Sequence, residues 1–349
     1  MMIIRSFLAS LVLATPLWAD APTERIRALL AEIPADAFGD TVEVIEWGDP
    51  RAFGPVALGN GASPETAALA AFGRGLPGDL AELGLTLFRD MEASTGLAPD
   101  AVTQTLFLRG PTGEIMVFGI DPGAETDMAA ALPGHAYALD RDRLSQPVWA
   151  RGPDNGMDMA FLDRSNPFGG RTGRSGRIAI TPGQVIYAPA WPQIEAALSP
   201  EEGPRLSEVP QAQSLLAALD TLAVDALVSV RVFPGLGDQW GSPALLLADA
   251  VRGGADAGIM GLVVPEGTAA DDFARRIEEN WTGRASPGHQ KTYATLTGAV
   301  PTVTPHTGGP LDVVTLSLDL ADETEFANEA ADLLGLIYLY GDLPTLTAE

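Results

Sequence analysis

The chain contains no cysteine, which excludes disulfides, thiolate metal sites and lipid attachment at a cysteine. Lysine is almost missing as well: Lys291 stands alone among 21 basic residues, the rest being arginine. Histidine occurs only at His135, His289 and His306, so a Ser-His-Asp site has few bases to draw on. There is no G-x-S-x-G elbow, no S-x-x-K and no H-E-x-x-H, which leaves serine-hydrolase and zinc chemistry without their usual residues. The expectation is a chain with no cofactor and no metal site. Beyond the N-terminal segment, no stretch offers the roughly 20 apolar residues that a membrane helix needs.

Positive charge is scarce too. With 46 acidic residues against 21 basic ones, the formal net charge is −25. Such a surface repels nucleic acid and anionic lipid and favours cationic partners. The acids are too numerous to nominate a glycosidase pair. The tryptophans, at Trp47, Trp149, Trp191, Trp240 and Trp281 past the first segment, are scattered as packing residues are, not grouped as a sugar platform.

What is present begins with "MMIIRSFLASLVLATPLWA". One cation at Arg5, an apolar run from Phe7 to Leu13, Pro16 and the small Ala19 make a secretory signal pattern, with cleavage expected after Ala19. The mature chain is expected to be free and soluble, in the periplasm or the medium, with neither a membrane span nor a lipid anchor.

Past residue 20 the pattern reads as mixed α+β. Helical spacing is expected over 20–33 with Thr23 as its N-cap, over 64–72, and over 79–94, where Leu80, Leu83, Leu87 and Met91 share a face. Strands are expected at 41–47 and, as a hairpin around "GPTG", at 103–109 and 114–120, followed by a helix at 123–132. The order strand, turn, strand, helix recurs from 177 to 198 and again from 225. A shift of 144 residues places Ile115 and Met116 on Ile259 and Met260, Gly123 on Gly267, and Asp127 on Asp271. A "PGH" follows the helix in both copies, at 133–135 and 287–289. This reads as an internal duplication, and the matched placement of His135 and His289 favours a structural role for both. His306 in "TVTPHTGGP" is expected on a surface loop. The Pro- and Glu-rich "SPEEGPRLSEVP" at 199–210 is the linker candidate. The expected organisation is a signal at 1–19, a first half at 20–202 and a second at 203–349. Each half is an antiparallel, hairpin-based sheet of ferredoxin-like or split βαβ type, with helices on one face.

Two stretches invite a site. "PDNGMDMAFLD" offers Asp154, Asn155, Asp158 and Asp163 to a hard cation, but the spacing departs from the twelve-residue calcium loop and a turn at "DNG" explains it. "DRSNPFGGRTGRSGR", 163–177, gathers four arginines and four glycines. A phosphate loop would need a helix behind it, and "IAI" is a strand pattern. The remaining option is a guanidinium cluster of Arg164, Arg171, Arg174 and Arg177 gripping a small anion, against a Gly-rich connection whose arginines pair with acids. The leading functional expectation is an exported, soluble, non-enzymatic binding or interaction protein of the cell envelope, its partner a protein or a small molecule. The alternatives are an exported hydrolase using unidentified carboxylates and a small-anion binder using 163–177.

Overall fold

The computed structural model describes residues 21–38, 41–198, 203–320 and 327–349. The signal segment and the start of the linker lie outside the described residues. The first half contains α1 (Glu24–Glu32), β1 (Val44–Gly48), α2 (Gly54–Gly59), α3 (Pro64–Arg74), α4 (Gly78–Ala81) and α5 (Gly84–Thr95). It continues with the hairpin β2 (Val102–Gly110) and β3 (Gly113–Ile120), then α6 (Ala124–Ala131), β4 (Ala138–Asp140), β5 (Val148–Arg151), β6 (Gly176–Thr181), β7 (Gln184–Ala188) and α7 (Trp191–Leu198). The second half contains α8 (Pro210–Asp220), β8 (Ala226–Phe233), β9 (Leu245–Arg252), β10 (Ala255–Val263), α9 (Ala270–Gly283) and α10 (Tyr293–Thr297). It closes with β11 (Thr302–His306), β12 (Val313–Asp319), α11 (Glu329–Leu339) and α12 (Leu343–Thr347).

The protein is α+β, built on a large antiparallel sheet, and its halves follow one path. The first orders its strands β1-β2-β3-β7-β6 and the second β8-β9-β10-β12-β11. Ile115 and Ile259 face the same apolar layer, and Met116 and Met260 face away from it. Gly123 (φ 105) and Gly267 (φ 80) both take left-handed backbone before their helices. The residue after each "PGH", Ala136 (φ 64) and Gln290 (φ 56), does the same although neither is glycine. The turns are therefore alike in conformation, and their histidines stay peripheral: the His135 carbonyl lies 3.5 Å from Arg151 and the His289 ring meets Tyr340 edge-on.

The halves do not keep separate sheets. β1 pairs with β8, Glu46 standing opposite Arg231, so that twelve strands form one sheet, ordered β11-β12-β10-β9-β8-β1-β2-β3-β7-β6-β5-β4. Each of these strands would be an open edge in an isolated half, and their pairing completes the ladder. Helices also cover both faces, where cover on one face is the sequence expectation. The reason lies in strands such as β3 and β10, apolar on both sides along most of their length, which need two covers. On one face α1, α7 and α8 share a core that runs through both halves. On the other, α5, α6 and Phe72 of α3 cover the first half, α9 and α11 cover the second, and α2 with the rest of α3 packs on Val228 of β8 and Val251 of β9.

Three local readings change. Thr23 takes the N-cap position of α1 without capping it; its hydroxyl donates instead to Asp220, at 2.8 Å, tying α1 to the end of α8. The described part of the linker is packed: Leu206 is fully buried and its N–H donates to the Ile33 carbonyl. His306 ends an edge strand, β11, whose Pro305 is tolerated because an edge position needs no donor on its open side. Its Nδ1 lies 3.1 Å from the Thr221 hydroxyl and its Nε2 2.8 Å from that of Thr315, and burial holds its pKa below the ordinary histidine value.

Helix α11 lies directly on β10: a Cβ at Gly258 would stand 2.4 Å from the Ala330 carbonyl carbon. Gly258→Ala is expected to lower stability by about 1–3 kcal/mol through overpacking, read as a lower urea midpoint. An unchanged midpoint would mean that α11 shifts off β10 without cost.

Candidate binding cleft

On the face where the two helix groups stand apart, the central strands β1, β8 and β9 are left open between α3, α4 and α5 on one side and α11 on the other. The opening is a cleft of about 880 Å3. Strand alternation decides what lines its floor. Ile45 and Trp47 of β1, Val230 and Val232 of β8, and Leu246 and Ala248 of β9 belong to the shared core. Their neighbours Glu46, Arg231 and Asp249 therefore point to the opposite face, and all three line the cleft. Its rim is apolar: Leu85 of α5 is 48% exposed, and Leu336 and Leu339 of α11 are 36% and 69% exposed.

The inner wall is an ion network joining the two halves. Arg74, the last residue of α3, donates through Nε and Nη2 to the two oxygens of Asp249, at 2.9 and 2.6 Å. Through Nη1 and Nη2 it also reaches Asp256 of β10, at 3.1 and 2.8 Å. Its guanidinium lies 3.7 Å from the Phe53 ring centroid. Asn328 caps α11 by accepting from the Ala331 N–H at 3.0 Å and donates to Asp249 at 2.8 Å. Burial works against the charge on Arg74, but Asp249 and Asp256 outweigh it and raise its pKa further, so the residue stays charged. Burial raises the Asp249 pKa, and the neighbouring Asp256 adds to the rise: two buried acids share one cation.

Glu46 is held differently. Its side chain is 8% exposed, and its ion-pair contact is Oε1 to Arg231 Nε at 3.0 Å. That approach lacks hydrogen-bond geometry, leaving both the Arg231 Nε and the Glu46 Oε2 without a hydrogen-bond partner. Glu46 borders the cleft and also a smaller cavity of about 160 Å3 on its far side.

The arginine loop frames that smaller cavity. Arg171 and Arg174 line it together with Arg109, and so do Glu46 and Glu114. Arg174 pairs with Glu114 at 2.5 Å and Arg171 with Glu82 at 3.1 Å. Arg164 is exposed. Arg177 is buried elsewhere, pairing with Asp154 at 2.7 Å, donating to the Arg151 carbonyl at 3.0 Å and lying beside Trp191. The structure thus brings two of the four arginines into one cavity, with carboxylates between them. The loop is packed down: Phe168 is fully buried against Phe118 and Tyr187. Asp158 caps the Ala160 N–H and Asp163 accepts from Ser165, so with Asp154 on Arg177 the acids of 153–163 serve local bonds. Among the described residues, no group of three or more His, Cys, Asp or Glu is placed to hold a metal ion, and no helix is long and apolar enough to cross a membrane.

The cleft residues carried a signal in the sequence, since each is a lone charge inside an apolar strand: "VIEWG", "VSVRVF" and "LLLADAV". Reading it requires knowing that β1 and β8 are neighbours. No protein-family description matches the chain, and no curated protein does. Among solved structures it is similar to crystal forms of TP0453. Form III aligns at 7% identity with a TM-score of 0.39, over 86% of this chain and 98% of that one. Form IV aligns at 8% with a TM-score of 0.40, over 89% and 98%. At this distance neither likeness carries a role to the chain.

Replacing Arg74 with methionine leaves two buried carboxylates without their cation. The expected loss is about 3–5 kcal/mol in urea unfolding; a loss below about 1 kcal/mol would mean that the network is not a tie between the halves. The Asp249 pKa is raised on folding, so the folded chain holds this proton more tightly than the unfolded one. Its contribution to stability is full below the ordinary carboxylate pKa and is lost as pH rises through the raised one. Asp249→Asn is expected to remove that falling component, so the stability difference between variant and wild type should shift in the variant's favour as pH rises over this window. A constant difference across the window would contradict the shift.

Proposed function

We propose that the chain is an exported, non-enzymatic binding protein of the cell envelope that holds a small ligand with an apolar body in the cleft between its halves. The observation that carries this reading is the pairing of exposed leucines across the opening, Leu85 on one side and Leu336 and Leu339 on the other. Large apolar side chains gathered around a concavity are the usual mark of a covered surface. The polar floor supports the same reading, because a few fixed charges at the base of an apolar cleft orient a ligand. Export rests on the N-terminal pattern of Arg5, the apolar run and Ala19.

The alternatives draw less support. A hydrolase would take its carboxylates from this cleft, where both oxygens of Asp249 are engaged by Arg74. A small anion at 163–177 would meet Arg109, Arg171 and Arg174, but also Glu46 and Glu114 in the same walls.

The neutral fluorophore N-phenyl-1-naphthylamine tests the cleft. Its emission is expected to rise and saturate with the full chain. A Leu85→Arg, Leu336→Arg double variant should bind it at least about tenfold more weakly, about 1.4 kcal/mol. No saturable rise, or an unchanged affinity in a folded double variant, would overturn the reading.

A further inference from the structure

Glu46 is the cleft acid whose hydrogen bonding the fold leaves incomplete. Its carboxylate is buried beneath the cleft, and Oε2 has no hydrogen-bond partner. A buried polar atom left unmade costs about 1–3 kcal/mol, more when charged. Arg231 does not remove that cost: its side chain is 39% exposed, and it approaches edgewise through Nε and not with the two-pronged grip a guanidinium makes on a carboxylate. Gly78 closes the other side, a Cβ there falling 2.8 Å from Oε2, so the start of α4 packs directly on the carboxylate.

The surrounding charge has a definite sign. The cleft is lined by Glu46, Asp249 and Asp332 against Arg74 and Arg231, and Arg74 is already claimed by Asp249 and by Asp256 behind it. Asp332 stands on α11 one turn before Leu336, on the same wall. A chain of formal net charge −25 also raises the local concentration of cations around such an opening.

Resting on the cleft as the ligand site, we infer that the ligand it selects is an amphiphile with a primary ammonium head, seated against Glu46 with its apolar body between Leu85 and the pair Leu336 and Leu339. A primary ammonium is a compact cation with three donors, suited to a carboxylate that lacks them. A quaternary head would supply charge and no donor. A carboxylate or phosphate head would face Glu46 and Asp332.

Displacement of bound N-phenyl-1-naphthylamine from the full chain by octylamine, 1-octanol and octanoate separates head-group recognition from apolar binding. Octylamine is expected to displace the fluorophore at about tenfold lower concentration than octanol, the worth of a charge-assisted hydrogen bond, with octanoate weakest. Glu46→Gln should bring octylamine down to the level of octanol. Arg231→Gln, which removes the competing guanidinium, should widen the gap, a change in the opposite direction that loss of folding would not produce. Equal displacement by amine and alcohol, or a preference that survives Glu46→Gln, overturns the ammonium assignment and leaves the cleft as an apolar site. Failure of the fluorophore to bind at all removes the cleft reading, and this inference with it.

Discussion

Arg74 ends a helix of the first half and holds two carboxylates of the second. Asp249 and Asp256 lie on neighbouring strands, and Asn328 links the same carboxylate to the start of α11. A single guanidinium thereby fixes the position of α3 against β9, β10 and, through Asn328, α11. These elements are the two walls and part of the floor of the cleft. The arrangement is costly to assemble and more costly to break, because removing one partner strands a buried charge. It makes the width of the opening a property of the folded core, not of surface contacts.

The cleft exists because the two faces of the sheet are treated differently. On one face the cores of the halves merge, with α1, α7 and α8 over strands from both. On the other face α5 and α6 stay over the first half and α9 and α11 over the second, while α2 and α3 reach across to Val228 and Val251, and the strands left between them carry Glu46, Arg231 and Asp249 where core residues would otherwise stand. The polar groups are thus a condition of the opening as much as its content. An apolar floor at this place would draw the helices together over it.

Much of the architecture was legible as periodicity. The hairpin around "GPTG" and the strand after the arginine loop stand where the pattern puts them, and the residues after the two "PGH" turns share a left-handed backbone. What was not legible depends on contacts distant in sequence. β11 escaped because Pro305 reads as a strand breaker, and only an edge position makes it harmless. Residues 203–209 read as part of a linker because the residue buried deepest among them, Leu206, has its partners near Ile33. The arginines of 163–177 read as a cluster because sequence places them together. The chain sends them apart around Phe168: Arg164 is exposed, Arg171 and Arg174 pair with Glu82 and Glu114, and Arg177 is buried on Asp154 beside Trp191. The cleft charges were visible singly and invisible as a group, since Glu46 and Arg231 are 185 positions apart in the sequence and face each other across one ladder.

That ladder has a further meaning. Two equivalent strands paired antiparallel along their edges are the geometry by which identical subunits join about a two-fold axis. In a symmetric pair, whatever one side presents at the seam the other must present as well, so every contact is made twice, residue i on j and j on i. Joined in one chain, the two sides are released from that obligation: Glu46 on β1 meets Arg231 on β8, and α2 to α5 enter only between the first and second strands of the first half. The seam therefore carries polarity from one half to the other, giving the cleft a direction that a two-fold symmetric assembly could not impose on a ligand lying across it.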